Sequence, residues 1–398
     1  MHENDLGQLL LLRVNELHWN SSLERLLRRL RPGGVLIDAP LTEGAERVGE
    51  FFLKVAGALT ALPFLALREE GGTMDPLRAF LPPLPSPHAA ADRGLADVRS
   101  LGELVGAALR LLGFNTDLAP LLDLASPATG GASQTRAFGA DPQQVAKCGA
   151  AFLDGLERHG IRACGKHFPG HGSARATSTT ELPMVSKSMA ELWREDLVPY
   201  RALLPRLPLV LISSAACKAY DFNLLQSAGL SAKVVEGLLR VKLGYHGVAI
   251  ACGLETKAVR GTLSLQDAAV QAVRAGCDML LLEEAEAAEQ AQTALSAARE
   301  SGNLPVLRVE QALKRIRFAK KGLKPPARKP PGRSLDRLAR EFADFSSELA
   351  DRGENPQGCH PVHNRRPFIR DGRSRASWGR RMGFSCPIAN AMHAWPSA

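Results

Sequence analysis

The sequence predicts a single-domain (β/α)8 barrel of the TIM type. Eight short apolar runs recur up to about residue 320, and segments with helical spacing separate them. Apolar runs that alternate with amphipathic helices are typical of parallel strands joined by crossover helices. Eight such units over this length favour a closed barrel. A doubly wound sheet is the alternative, but polar residues recur where the runs end, and this disfavours it.

The predicted strands follow one another along the chain, and each is an apolar run of strand length. They are QLLLLRV (8–14), GGVLIDA (33–39), PFLALRE (63–69), NTDLAPLLDL (115–124), IRACGKHF (161–168), PLVLISSA (208–215), GVAIACG (247–253) and CDMLLLEE (277–284). The spacing predicts helices between them, including SSLERLLRRL (21–30), VRSLGELVGAALRLLG (98–113), DPQQVAKCGAAFLDGLERHG (141–160) and SLQDAAVQAVRAG (264–276).

Composition narrows the class of protein. Hydrophobic residues make up 45% of the chain and charged residues 23%, as in soluble globular proteins. No apolar run approaches the roughly 18 residues of a membrane helix, and the first residues carry acids where a secretion signal needs positive charge. The seven cysteines are scattered without a CxxC pair, so we expect neither disulfides nor structural zinc. We therefore expect a cytoplasmic protein without a metal or cofactor.

The basic character of the chain is concentrated in its C-terminal tail. The net charge is +9, and residues 321–398 hold 15 Lys and Arg against 7 Asp and Glu. We place a barrel domain over 1–323 and a tail over 324–398, which begins with the Pro-rich linker KPPARKPPGR (324–333). The tail includes a predicted helix over 334–350 and is expected to be disordered beyond it. Contact of this tail with nucleic acid or acidic lipid is an alternative to a solvated tail.

Polar side chains follow several of the predicted strands. In a barrel of this kind the chemistry lies where strands end and the following loops begin. Carboxylates accept hydrogen bonds from sugar hydroxyls, whereas Arg and Lys donate to ring or amide oxygens. This set of polar strand-end side chains therefore suits a neutral polyol as the ligand. Its candidate binding residues are Arg68, Asp123, Arg136, Lys166, His167 and His171.

Several motifs carry a resemblance to one enzyme family. In chain order they are PGGVLI (32–37), EEGG (69–72), NTDLAPLLDL (115–124), TRAFGADPQQV (135–145), GKHFPGHG (165–172), ELP (181–183), LGYHGVAIACGLETKAV (243–259), AGCDMLL (275–281) and RVEQALKRI (308–316). With these motifs the chain resembles family 3 glycoside hydrolases over about residues 8–320. It is most similar to the single-domain bacterial β-N-acetylglucosaminidases of peptidoglycan recycling. The resemblance implies retaining hydrolysis of terminal N-acetylglucosamine.

The chain departs from the family at the catalytic positions that the resemblance implies. The family nucleophile is an Asp that ends the seventh strand, and Cys252 holds that position. The family acid/base is an Asp–Ser/Thr–His dyad before ELP, and Thr177 and Thr179 hold the Asp and His positions. Arg68 replaces an Asp that would hold sugar hydroxyls. We therefore expect hydrolysis to be lost or impaired, with an N-acetylamino sugar or muropeptide fragment as the ligand.

Two other readings remain open. In one, the protein is an active glycosidase that uses other residues. Cys252 could serve as a thiolate beside Arg68, although a small residue closing a vacated pocket is the preferred interpretation. In the other, the protein is a non-enzymatic module that binds sugar, protein or nucleic acid. His171 is expected to brace its turn and Glu255 to lie on the surface. For Arg68 three alternatives are open: a clash with the sugar hydroxyls, a pair with an anionic ligand group, or an ion pair with one of the two glutamates that follow it.

Overall fold

The computed structural model describes residues 3–37, 41, 44–126, 131–176, 181–223, 225–326 and 332–351. Within these ranges it contains ten strands. They are β1 Leu10–Val14, β2 Gly34–Ile37, β3 Phe64–Leu67, β4 Thr116–Asp117, β5 Arg162–Phe168, β6 Met184–Val185, β7 Leu209–Ile212, β8 Ala216–Cys217, β9 Val248–Ala251 and β10 Met279–Leu282.

The helices cover the outside of the strands and the ends of the barrel. The α-helices are α1 Ser21–Leu30, α2 Ala45–Ala58, α3 Pro87–Arg93, α4 Leu95–Leu112, α5 Gly131–Arg136, α6 Pro142–Arg158, α7 Met189–Arg194, α8 Leu197–Leu203, α9 Lys257–Arg260, α10 Leu265–Ala275, α11 Ala285–Glu300, α12 Val306–Lys320 and α13 Gly332–Asp351. A π-helical segment spans Lys233–Lys242, and short 3-10 turns span Glu3–Leu9, Pro76–Ala79 and Ala228–Leu230.

Eight of the strands close into a parallel barrel. Their order is β1-β10-β9-β7-β5-β4-β3-β2, and β1 pairs with both β2 and β10 to complete the ring. The predicted (β/α)8 fold is therefore confirmed, and each of the eight predicted apolar runs contains one barrel strand. The strands are almost continuously buried, because helices cover the outer face and side chains fill the interior.

Strand β4 is much shorter than the predicted run over 115–124. Asn115 precedes it and ties it to β3, since its Oδ1 accepts from the Leu65 N–H at 2.8 Å and its Nδ2 donates to the Pro63 carbonyl at 3.0 Å. Pro120 has no N–H and cannot continue the ladder as a donor. The chain nevertheless stays beside β5, where the Leu122 N–H donates to the Lys166 carbonyl. This path carries Asp123 to the carboxyl end of the barrel.

A small sheet outside the barrel was not predicted from the sequence. Strands β6 and β8 pair in parallel and join the loop after β5 to the loop after β7. Arg175 and Met184 exchange two backbone hydrogen bonds of 3.1 and 2.8 Å and so form the stem of the loop after β5. Each of these strands has only two residues, which is too short for an apolar period to reveal.

Helix α13 lies where the sequence predicts a helix over 334–350. It packs against α3 and α4, and its Phe342 is fully buried. Its Ser346 Oγ donates to the Pro83 carbonyl at 2.8 Å, and Arg93 donates to the Leu349 carbonyl. The domain boundary at 323 stays a prediction, and residues 352–398, with the expected disorder, lie outside the described residues. In the ranges described, no helix combines the length and apolarity that crossing a bilayer requires.

Candidate functional site

A buried ionic cluster lies beneath the carboxyl end of the barrel. Glu70 follows β3 and accepts from the Lys166 ammonium of β5 at 2.5 Å and from two nitrogens of Arg136 at 2.8 and 2.9 Å. Burial by itself would raise the pKa of Glu70, but the charges of Lys166 and Arg136 lower it to about 2. The Lys166 side chain is only 2% exposed, whereas Arg136 is 23% exposed. Lys166 is thus a buried support, whereas Arg136 is partly exposed at the carboxyl end of the barrel.

Asp123 organises the loop that follows β5. Its Oδ1 accepts from the backbone N–H groups of His167 and His171 at 3.3 and 2.7 Å, and its Oδ2 lies 2.8 Å from His167 Nδ1. Burial opposes ionisation, yet His167 and His171 lower the pKa of Asp123 below its ordinary value. Gly170 lies within this turn with a φ of 135°, and a Cβ there would be 2.6 Å from Asp196 Cβ. The chain reaches this position only because glycine tolerates both conditions.

The two histidines of this loop differ in role. His167 keeps 23% of its side chain exposed, so its ring is partly open to solvent. His171 Nδ1 lies 2.8 Å from Ser213 Oγ at the end of β7, and burial together with the charge of His167 lowers the His171 pKa to about 4. At neutral pH the His171 ring is uncharged, so it lacks the imidazolium proton that a general acid would donate. Its contacts support the expected bracing role rather than that of a general acid.

Cys252 lies at the end of β9 and carries a thiol, not a thiolate. Its Sγ donates to the Ile212 carbonyl at 3.2 Å. Burial raises the Cys252 pKa to about 12, and the charge of Arg68 offsets this only in part. Gly253 follows with a φ of 71°, and a Cβ there would be 2.9 Å from Ser214 Cβ. A buried thiol with such a pKa is a poor nucleophile, which argues against the thiolate reading.

Arg68 forms an ion pair that was not predicted from the sequence. Its guanidinium lies 3.7 Å from Glu283, which follows β10, and Arg13 of β1 pairs with the same carboxylate. Arg68 was expected to pair with Glu69 or with Glu70, but the ion pair in the structure is with Glu283. Glu70 is occupied by Lys166 and Arg136, and the buried Glu69 accepts from the Gly71 and Leu77 N–H groups. The sequence did contain a signal for Glu283, because the predicted strand CDMLLLEE ends on two acids.

Glu255 was expected to lie on the surface, but it is half-buried and hydrogen-bonded. Its carboxylate accepts from the backbone N–H groups of Glu283 and Glu284 at 2.7 and 3.2 Å, at the start of α11. Burial raises the pKa of Glu255 above its ordinary value. The positions predicted for the acid/base dyad, Thr177 and Thr179, lie outside the described residues. Across the parts of the chain that are described, no group of three His, Cys, Asp or Glu is placed to hold a metal ion.

The fold and the site define a class of protein, a (β/α)8 barrel with polar side chains gathered at the carboxyl ends of its strands. Residues 1–318 match the Glycosyl hydrolase family 3 N terminal domain. The chain therefore belongs to glycoside hydrolase family 3.

Curated relatives and solved structures agree with this assignment. A beta-hexosaminidase of Tolumonas auensis is 30% identical over 275 residues, which cover 68% of this chain and 81% of the relative. One from Pseudomonas aeruginosa is 32% identical over 284 residues, covering 70% and 83%. The beta-N-acetylglucosaminidase structure of Thermotoga maritima superposes with a TM-score of 0.72 at 27% identity, covering 80% and 68%. That of Paenibacillus sp. gives 0.74 at 26% identity, covering 87% and 69%.

Proposed function

We propose that this protein binds a terminal N-acetylamino sugar, as found in muropeptide fragments, and hydrolyses it very slowly or not at all. The observation that carries this proposal is the contrast between a supported polar cleft and a protonated Cys252 where the family places a carboxylate. The relatives' names, beta-hexosaminidase and beta-N-acetylglucosaminidase, support the class of sugar.

The binding half of the proposal rests on how the cleft is supported. Arg136 and His167 keep part of their polar surface exposed while Glu70 and Asp123 hold them from behind. A guanidinium and an imidazole fixed in this way offer hydrogen bonds to hydroxyl and amide oxygens without first losing side-chain entropy. Glycans offer such oxygens on every ring. The cleft is thus suited to binding a sugar even without a catalytic carboxylate.

The impaired hydrolysis rests on the state of the nearby acids and bases. Retaining hydrolysis needs an ionised nucleophile and a group that protonates the leaving oxygen. The Cys252 thiol is protonated, and His171 is neutral because its pKa is about 4. Glu70 and Asp123 are ionised but are occupied by the cations and histidines they support. Loss of one general acid or base alone costs a factor of about 10²–10⁴ in rate.

Release of nitrophenol from an aryl β-N-acetylglucosaminide tests the proposal. The wild type is compared with the triple variant Cys252→Asp/Thr177→Asp/Thr179→His, and N-acetylglucosamine binding to both is measured by thermal shift, with glucose as the control sugar. We expect sugar-dependent stabilisation in both proteins and turnover only in the variant. Turnover by the wild type at an enzyme-like rate would contradict the proposal, and so would the absence of any sugar-dependent shift.

One observation favours a second candidate, an active glycosidase with relocated chemistry. Glu283 keeps 30% of its side chain exposed and lies close enough to influence the Cys252 thiol. If Glu283 served as the nucleophile, the wild type would turn over and Glu283→Gln would abolish that turnover. If Cys252 did so, Cys252→Ala would abolish it instead. The two variants therefore separate both forms of this candidate from the first proposal.

The proposal also includes a setting for the protein. The resemblance to enzymes of peptidoglycan recycling suggests work on cell-wall fragments in the cytoplasm. The five cysteines that the structure describes are free thiols, which fits a reducing compartment. They are Cys148, Cys164, Cys217, Cys252 and Cys277. A fractionation experiment with an antibody against the barrel checks the location.

A further inference from the structure

A groove of about 1540 Å³ opens at the end of the barrel opposite to the candidate site. Its floor is formed by residues that lie one or two positions before the barrel strands, including Leu62 before β3, Ile161 before β5, Pro208 before β7 and Gly247 before β9. Helix α12 forms one wall. We call it the amino-end groove. The residues of the sugar cleft follow the strands, so the two sites lie at opposite ends of the barrel.

The amino-end groove is strongly basic. Eight Lys and Arg side chains line it, against one acid, Glu157. Glu157 and Asp154 pair with Arg206, and the buried Asp278 pairs with Arg315. The other six basic side chains have no carboxylate partner among the residues that the structure describes. They are Arg162, Arg201, Lys314, Arg317, Lys320 and Lys321.

Several of these cations are held in place by neutral groups. Arg162 donates to the Ala319 and Lys321 carbonyls at 3.2 and 2.5 Å, at the end of α12. Lys320 donates to Gln8 Oε1 at 2.8 Å, and its ammonium lies 5.3 Å from the centre of the Phe64 ring. Burial lowers the Lys320 pKa to about 7. Lys320 is therefore partly neutral at pH 7, but the carbonyl oxygens do not cancel the charge of Arg162, and with the other basic side chains the groove keeps a positive potential.

The groove also has an apolar side. Phe318 lies on α12 one turn after Lys314, and its side chain is 76% exposed. Leu204, Pro205 and Leu243 add aliphatic surface to the lining. A concave site that combines an exposed aromatic ring with cations suits a small ligand that has both a planar ring and an anionic group. A membrane surface or a duplex would need a flatter or more extended basic face.

We propose that the amino-end groove binds a small molecule of the nucleoside di- or triphosphate class. Its phosphates would contact the cations of α12 and Arg162, and its base would lie against Phe318. Lys314 and Arg317 on α12 and Lys321 just after it lie within four residues of Phe318, so one ligand of this size would contact both kinds of group. The inference is independent of sugar binding at the opposite end of the barrel.

Calorimetric titration of the full chain with ADP, at about 150 mM ionic strength, tests this proposal. Pyrophosphate and adenosine are titrated in parallel. The first variant is Lys314→Glu/Arg317→Glu, which reverses two exposed charges of the groove. Its matched control is Lys54→Glu/Lys233→Glu, which reverses two exposed charges outside it. Phe318→Ala is the second variant, and thermal melts check that all the variants are folded.

We expect ADP to bind the wild type with a Kd below about 1 mM. The groove variant should bind ADP at least about tenfold more weakly, while the control stays within about twofold of the wild type. Phe318→Ala should weaken ADP but leave pyrophosphate unchanged, because only ADP has a base to place on the ring.

Each of the following results would overturn the proposal. They are no measurable binding of ADP, an equal loss in the control variant, competition between ADP and N-acetylglucosamine, and tighter groove-dependent binding of an RNA oligonucleotide or anionic vesicles. Pyrophosphate that binds as tightly as ADP, with no effect of Phe318→Ala, would overturn the assignment to nucleotides.

Discussion

Glu70→Gln should strongly destabilise the barrel, because the Glu70 carboxylate compensates two cations. In the folded protein Lys166 and Arg136 lower its pKa from 4.5 to about 2 despite burial. At about 1.4 kcal/mol for each pKa unit, the ionised Glu70 contributes about 3 kcal/mol to the free energy of unfolding at neutral pH. The variant also leaves the Lys166 ammonium buried without its carboxylate. Breaking a buried ion pair by removing one partner costs a similar 3–5 kcal/mol or so.

Urea denaturation of the wild type and Glu70→Gln at pH 7 measures this difference. The control is Glu341→Gln, which removes an exposed i,i+4 pair with Arg337 and should change the free energy of unfolding by less than about 0.5 kcal/mol. The folded pKa of Glu70 is depressed, so its contribution is complete above pH 4.5 and is lost as the pH falls through about 2. The gap between wild type and variant should narrow in that window. A loss below about 1 kcal/mol at pH 7, or a gap independent of pH, would refute the reasoning.

Three further predictions concern the loop after β5, the C-terminal helix and the thiol. Asp123→Asn should lower the free energy of unfolding by about 2 kcal/mol at pH 7 in urea denaturation, because Asn keeps one oxygen for the backbone N–H groups but loses the negative charge that these groups and the His167 ring face. Since the folded pKa of Asp123 is lowered, this difference should fade as the pH falls below 3.8, and a constant difference would contradict its electrostatic origin. Phe342→Ala should cost about 3–5 kcal/mol of α13 packing and expose that helix to limited proteolysis, whereas the exposed Phe222→Ala should not. Cys252 should react with a thiol reagent at pH 8 about a thousandfold more slowly than in the unfolded chain, because its pKa is about 12 rather than 9.0, and equal labelling of the two states by mass spectrometry would contradict that pKa.

The sequence predicted the fold well because barrel strands are buried on both faces and read as apolar runs. The strand predicted over 115–124 is much shorter in the structure. Asn115 and Pro120 replace ladder hydrogen bonds there, and hydropathy does not register this change. The strands β6 and β8 were missed because two residues cannot show a period. In these cases a side chain or a short loop contact, rather than a pattern, sets the backbone path.

The sequence placed the strand-end residues in the right region but did not predict their pairings. Lys166 and His167 are neighbours in the chain, yet one is a buried partner of Glu70 and the other is a partly exposed partner of Asp123. Arg68 pairs with Glu283, and these two residues are brought together only by closure of the barrel. Burial and pairing of charges depend on tertiary distances, which one sequence does not contain. The roles proposed for these residues in ligand binding stay predictions.

The backbone stem between Arg175 and Met184 has a consequence for protein engineering. Two hydrogen bonds close the loop at its base, and the β6–β8 sheet fixes that base to the next loop of the barrel. The entropy of closing a loop depends weakly on its length once the ends are held. Residues 176–180 can therefore be exchanged as a cassette if Leu182, which packs against the core, and Pro183, whose carbonyl accepts from the Ala216 N–H, are kept. Libraries of new sequences at this position should leave the barrel folded.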